Sequence, residues 1–156
     1  MNWQEVCEEP TLQNLPFKIE LNRYGQVVMS PASNRHGRDQ TRIAGKLLEL
    51  LSEGEVITEC SVDTPEGTKV ADVVWASAEF IARHALTTPY PEAPEICVEV
   101  VSPSNSSAEM EEKRNLYFSQ GAREVWICDE EGQVTFFDAE GQLGASGLVP
   151  KFPDRI

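Results

Sequence analysis

Asp72 and Glu99 are acids set where a buried strand has little use for one. Asp72 interrupts Val70-Ala71-Asp72-Val73-Val74-Trp75, and Glu99 interrupts Ile96-Cys97-Val98-Glu99-Val100-Val101. Near-continuous apolar runs of this kind mark strands covered on both faces. An ionised carboxylate there is costly unless it is paired or bound to a metal. Either acid alone could point to an exposed edge or pair with a nearby base. Two of them, in separate strands, ask for a common reason.

A lysine completes the set. In Glu109-Met110-Glu111-Glu112-Lys113-Arg114-Asn115-Leu116-Tyr117, residues three and four apart share a helical face. Lys113 therefore falls between Met110 and Tyr117, which turns it inward; the alternative is a solvated lysine on a charged surface helix. Glu109 has a simpler explanation, because Ser106-x-x-Glu109 reads as a capping box satisfying free backbone donors at a helix start.

Two carboxylates on neighbouring strands offer hard oxygen ligands to Mg²⁺, with Mn²⁺ as a substitute. Such an ion acidifies a water and neutralises charge building on a phosphate. A lysine beside it can hold the attacking water and stabilise the pentavalent state. Asp72 and Glu99 are thus the expected metal ligands, and Lys113 the expected catalytic residue assisting the attacking water, for phosphodiester hydrolysis.

The elements that must position these residues alternate between strand and helix. Phe17 to Leu21 and, more loosely, Val27 to Met29 alternate apolar and polar residues around Tyr24-Gly25, which predicts a hairpin. Asn34 to Ser52 is the clearest helix, with Ile43, Leu47 and Leu51 on one face, Asn34 as the expected cap and Gly54 just past the end. Strands are expected at Val56–Val62, Val70–Trp75, Ile96–Val101, Val125–Cys128 and Val134–Phe137, with a second helix over Ser107–Gln120. This alternation predicts an α/β domain, a central mixed sheet with helices on its faces. Residues 1–15 read as a short irregular or helical lead-in segment and 141–156 as an irregular tail of one domain spanning 1–156.

Composition narrows the function classes. The chain has 156 residues, 40% of them apolar and 8% aromatic, which is ordinary for a globular protein. No run approaches the roughly 20 apolar residues of a membrane span. The acids of Met1-Asn2-Trp3-Gln4-Glu5 stand where a secretory signal carries bases, so a cytoplasmic protein is expected. Cys7, Cys60, Cys97 and Cys128 stand singly with no Cys-x-x-Cys pair, consistent with free thiols in a reducing compartment. Thirteen bases against twenty-six acids leave a net charge of −13, which argues against a broad non-specific grip on nucleic acid but leaves room for a local basic patch.

The residues from Met29-Ser30-Pro31 to Asp129 resemble the PD-(D/E)XK nuclease superfamily, and closely its Uma-type branch of restriction endonucleases. The resemblance rests on Ala71-Asp72-Val73-Val74, where the family usually shows Pro-Asp-Val, and on Glu99-Val100-Val101-Ser102-Pro103-Ser104. Lys113, Tyr117, Gly121, Glu124, Trp126, Ile127 and Asp129 follow at family-like intervals. It implies a restriction-endonuclease-like fold and metal-binding roles for Asp72 and Glu99. Two departures stand out: Ala71 replaces the usual proline, and Val101 stands where a lysine commonly follows the second acid. In the Uma-type pattern a lysine on the next helix takes that place, and Lys113 occupies it.

His36 and Gln40 lie one turn apart on the apolar face of the first long helix, and His36-Gly37-x-x-Gln40 resembles the family's first motif. They join the catalytic candidates, against a plain reading as caps or core hydrogen-bond partners. On the opposite side Arg35, Arg38, Arg42 and Lys46 form a narrow stripe that could contact DNA phosphates or simply be a solvated face. The expectation is a Mg²⁺-dependent endonuclease acting on DNA, as a homodimer because two centres are needed to cut both strands. The alternatives are an inactive nuclease-fold protein used in binding or assembly, and a phosphodiesterase of small substrates, which the negative charge tolerates better than duplex DNA.

Overall fold

Alternating apolar and branched residues build strands, and the chain spends most of its apolar surface on one sheet. The computed structural model describes all 156 residues. In chain order the elements are α1 (Trp3–Glu8), β1 (Phe17–Leu21), β2 (Val27–Pro31), α2 (Asn34–Leu50), β3 (Glu55–Thr64), β4 (Gly67–Ala76), α3 (Ala78–His84), β5 (Ile96–Val100), α4 (Ser107–Ser119), β6 (Glu124–Cys128), β7 (Val134–Asp138) and β8 (Gly141–Leu143). Six strands form a mixed sheet in the order β3-β4-β5-β6-β7-β8, while β1 and β2 pair only with each other. All neighbours in the large sheet are antiparallel except β5 and β6, which run parallel and need a crossover; α4 supplies it.

Helices cover both faces. Ile43 and Leu47 of α2 are fully buried against Val73, Val98, Val100 and Trp126. Burying each such side chain stabilises the fold by about 1.5–3 kcal/mol. On the other face Phe80 of α3 and Tyr117 of α4 pack with Val74, Cys97 and Val125. The expected α/β architecture, a mixed sheet flanked by helices, is the one observed. No helix is long and apolar enough to cross a membrane.

Several details differ from the sequence expectation. Ser33, not Asn34, caps α2, its hydroxyl accepting the His36 N–H at 3.1 Å. The helix stops at Leu50, before Gly54, whose φ of 77° suits the turn. Seven-residue α3 was not expected, since it is too short for its periodicity to register. The tail is not wholly irregular: Gly141–Leu143 forms β8, and Val149 and Phe152 enter the core beside Trp126, while the lead-in takes the helical of its two expected forms as the capped helix α1. Buried Glu124 anchors that tail. Its carboxylate accepts from Trp126 Nε1, Ser146 Oγ, and the backbone N–H groups of Gly147 and Leu148, at 2.7–2.9 Å.

The β1–β2 hairpin seats against β4 without joining its ladder. Gly67 makes this possible: a Cβ there would lie 2.4 Å from the Leu21 carbonyl oxygen, and its φ of 93° is itself one that glycine alone adopts easily.

A candidate active site at the junction of sheet, hairpin and crossover helix

The register of β4 and β5 brings the two acids together. Val73 pairs with Val98, Val74 with Cys97 and Trp75 with Ile96, so the next rung would set Asp72 opposite Glu99. Residues opposite one another in an antiparallel pair project from the same face. The ladder ends at that point, and the Val100 N–H turns to the Asp72 carboxylate, donating to Oδ2 at 2.7 Å. Both acids are buried, Asp72 completely.

One ammonium lies between them. Lys18 Nζ of β1 is 2.8 Å from Asp72 Oδ1 and 3.2 Å from Glu99 Oε2, with Glu20 Oε1 at 4.0 Å. Lys113 reaches in from α4, 2.7 Å from Glu20 Oε1 and 3.4 Å from each Glu99 oxygen. Tyr117, one turn further along α4, donates its hydroxyl to Glu99 Oε1 at 2.7 Å. His36 Nε2 of α2 stands 3.2 Å from Asp72 Oδ2. Glu20 also accepts the Val70 N–H at 2.8 Å, which ties the hairpin to β4 beside the acids. No buried side-chain nitrogen or oxygen of the chain lacks a partner.

These surroundings drive the two acids apart in proton affinity. Burial alone would raise Asp72, but the Lys18 charge and the His36 hydrogen bond hold it well below the usual carboxylate range. For Glu99 burial dominates and the neighbouring Asp72 and Glu20 add to it, so its carboxyl is raised despite Lys113 and Lys18. Glu20 is lowered, because Lys113 and Lys18 outweigh its desolvation. The Asp72 hydrogen bond raises His36, which favours the imidazolium. Lys18 is raised: desolvation opposes its charge, and the three acids overcome it.

Of the sequence candidates, Asp72 and Glu99 come together, with His36 against Asp72 and Lys113 against Glu99. Gln40 does not join them; its amide donates to Glu59 Oε1 at 3.0 Å, on the wall of an adjoining cavity of about 250 Å³ that Lys18, His36, Gln40 and Glu59 all line. The basic stripe is largely committed elsewhere. Arg35 holds Asp39 and the Val101 carbonyl, Arg38 holds the same Asp39, and Lys46 holds Glu49. Exposed Arg42 is the one member of the four without an acidic partner.

Lys18 and Glu20 escaped the sequence reading. They sit two apart in Phe17-Lys18-Ile19-Glu20-Leu21, the polar face of a strand that reads as half-exposed. The available signal was a base and an acid on one strand face, with nothing in the sequence to say that this face docks inward.

The donor set suits a hard divalent cation. Asp72 and Glu99 direct carboxylate oxygens at a single position, which the Lys18 ammonium occupies. The chain does not offer three His, Cys, Asp or Glu side chains arranged as a finished cage. Mg²⁺ does not require one, since it retains several waters and commonly takes one or two carboxylates.

The Uma2 family, described as "Putative restriction endonuclease", matches residues 3–150. The chain belongs to this family. Among solved structures this Uma2 chain resembles one described as "a putative nuclease belonging to DUF820 from Anabaena variabilis ATCC 29413", with a TM-score of 0.71 and 15% identity over 98% of this chain and 82% of the other. That likeness carries the fold, which is restriction-endonuclease-like. No curated protein matches this Uma2 member.

Proposed function

We propose that the protein is a divalent-metal-dependent endonuclease that hydrolyses DNA phosphodiester bonds. The observation carrying this reading is the convergence of two buried carboxylates, from adjacent strands, on one cation-sized position with Lys113 beside it. Family membership and the fold of the Anabaena nuclease support it.

Asp72 and Glu99 would hold Mg²⁺, which when bound supplies charge neutralisation at the phosphate and a more acidic water. The chain's own groups do the rest. Asp72 stays ionised over the whole neutral range because Lys18 and His36 hold it so. Its backbone bond to Val100 fixes the carboxylate's orientation against the strand that carries Glu99. The Lys113 ammonium, a donor only, can orient a water and stabilise negative charge on a phosphate oxygen. Tyr117 fixes Glu99 by its hydroxyl hydrogen bond. His36 and Gln40 line the cavity beside Lys18, where they would meet the substrate backbone. A second copy of the chain supplies the second centre that double-strand cleavage needs.

A second reading, an inactive nuclease-fold protein for binding or assembly, draws on the same Lys18 contacts, which leave the acids electrically satisfied without a metal. Cleavage of supercoiled plasmid separates the two. Wild type should nick or linearise it with Mg²⁺ or Mn²⁺ and not with EDTA. Asp72→Asn and Lys113→Met should each lower the rate by about 100-fold or more, the order seen when a single electrostatic donor is removed. Cleavage indifferent to EDTA, or undiminished in Asp72→Asn, rejects the proposal.

A further inference from the structure

The position between Asp72 and Glu99 is already filled, and by a group from outside the main sheet. Lys18 Nζ touches both acids, with Glu20 as the third oxygen around it, while its side chain is only 14% exposed. Lys113 makes its shortest contact with Glu20 and touches only Glu99 of the two central acids. Lys18 is therefore the nearer cation to the carboxylate pair. The same oxygens cannot be shared at contact distance by an ammonium and a divalent ion, whose charges repel strongly in a buried site.

Resting on the metal reading above, we propose that Lys18 is the resident counter-cation of this centre and that a divalent ion binds by exchange with it. Lys18 holds Asp72 and Glu99 together in the metal-free protein. On loading, its ammonium leaves for the adjoining cavity of about 250 Å³, which it already lines with His36, Gln40 and Glu59. The four-carbon lysine stem is flexible, and β1 shares no backbone ladder with the six-stranded sheet, so the move disturbs no rung of that sheet. The Glu59 carboxylate on the cavity wall offers the displaced ammonium an acceptor.

The test is calorimetric titration of Mn²⁺ into wild type, Lys18→Met and Asp72→Asn, with folding of each checked by circular dichroism. Removing the competing cation should tighten Mn²⁺ binding by about tenfold or more, the size of an ordinary coupling between two linked binding events. Asp72→Asn should lose it. Equal or weaker binding by folded Lys18→Met overturns the exchange while leaving the metal site standing. Absence of Mn²⁺ binding to both wild type and Lys18→Met overturns the metal site and the exchange with it.

A measurement on wild type covers the case in which Lys18→Met does not fold. Amine acetylation followed by mass spectrometry should find Lys18 protected without metal and modified about tenfold faster at saturating Mg²⁺, with exposed Lys151 unchanged. Protection that persists when Mg²⁺ is bound overturns the proposal.

Discussion

Asp72 accepts the backbone N–H of Val100 at 2.7 Å, across the gap where the β4–β5 ladder has stopped. A side chain thus completes main-chain pairing between the strands that carry the two central acids. The carboxylate is structural as well as chemical, and its replacement has consequences for stability that differ from those of Glu99.

Asp72→Asn should cost more than Glu99→Gln at neutral pH. Asp72 is held ionised; an amide there removes the charge facing Lys18 and turns an N–H₂ toward donors, a loss of about 3 kcal/mol. Glu99 is shifted toward its protonated form, which glutamine imitates, and the Tyr117 hydroxyl can turn to accept from the amide, so the loss should be about 1 kcal/mol. The pH dependences have opposite signs. The lowered Asp72 contributes stability above its ordinary value near 3.8 that disappears as pH falls below it, so Asp72→Asn should flatten the acid limb. The raised Glu99 contributes stability below its ordinary value near 4.5 that disappears as pH rises through its folded value, so the Glu99→Gln penalty should shrink from pH 4 toward pH 8. Urea unfolding of both variants across pH measures this, and an equal penalty at neutral pH contradicts it.

Gly67→Ala should unseat the hairpin. Both Gly67 and Gly121 have positive φ, but a Cβ at Gly67 meets the Leu21 and Asn22 backbone at 2.4 Å, whereas one at Gly121 meets nothing within 4 Å. Gly121→Ala therefore carries conformational strain alone, about 1 kcal/mol. Gly67→Ala should cost about 2 kcal/mol or more and release Lys18 from the acids, visible as faster Lys18 acetylation. Matching stabilities for the two variants would show that the hairpin yields without cost.

Thiol reactivity should separate one cysteine from three. Burial pushes Cys60 and Cys128 up to about 12 and raises Cys97 well above the ordinary thiol value, so all three remain protonated at pH 8. Cys7 is exposed. The thiolate is the reactive form. Iodoacetamide on native protein should label Cys7 alone, and four labels should require denaturant. Native labelling of Cys60 would mean that β3 opens at this end.

The sequence exposed the parts of the centre that contradict their surroundings. Asp72 and Glu99 stood out because an acid in an apolar strand needs an explanation, and Lys113 because Met110 and Tyr117 flank it on one helical face. Glu109 was legible as a cap for an equally local reason, and it closes the capping box with Ser106 at the start of α4. Lys18 and Glu20 contradicted nothing. A polar residue alternating with Phe17, Ile19 and Leu21 is what a half-exposed strand requires, and only docking on β4 turns that face inward. The tail was opaque for a similar reason: Val149 and Phe152 are isolated apolar residues, made core by Glu124 capturing the turn at Ser146 to Leu148. Gln40 shows the reverse, a residue whose helical position was right and whose partner, Glu59, could not be foreseen because Glu59 adopts φ 53° within β3.

The hairpin is fastened to the rest of the molecule by side chains and close contact, never by shared strand pairing. Scaffold and charge balance are consequently separable in inheritance: substitutions within five residues of β1 can retune the electrostatics of the centre while the six-stranded frame keeps its pairing intact. A lineage could silence or restore the chemistry there without first relearning how to fold.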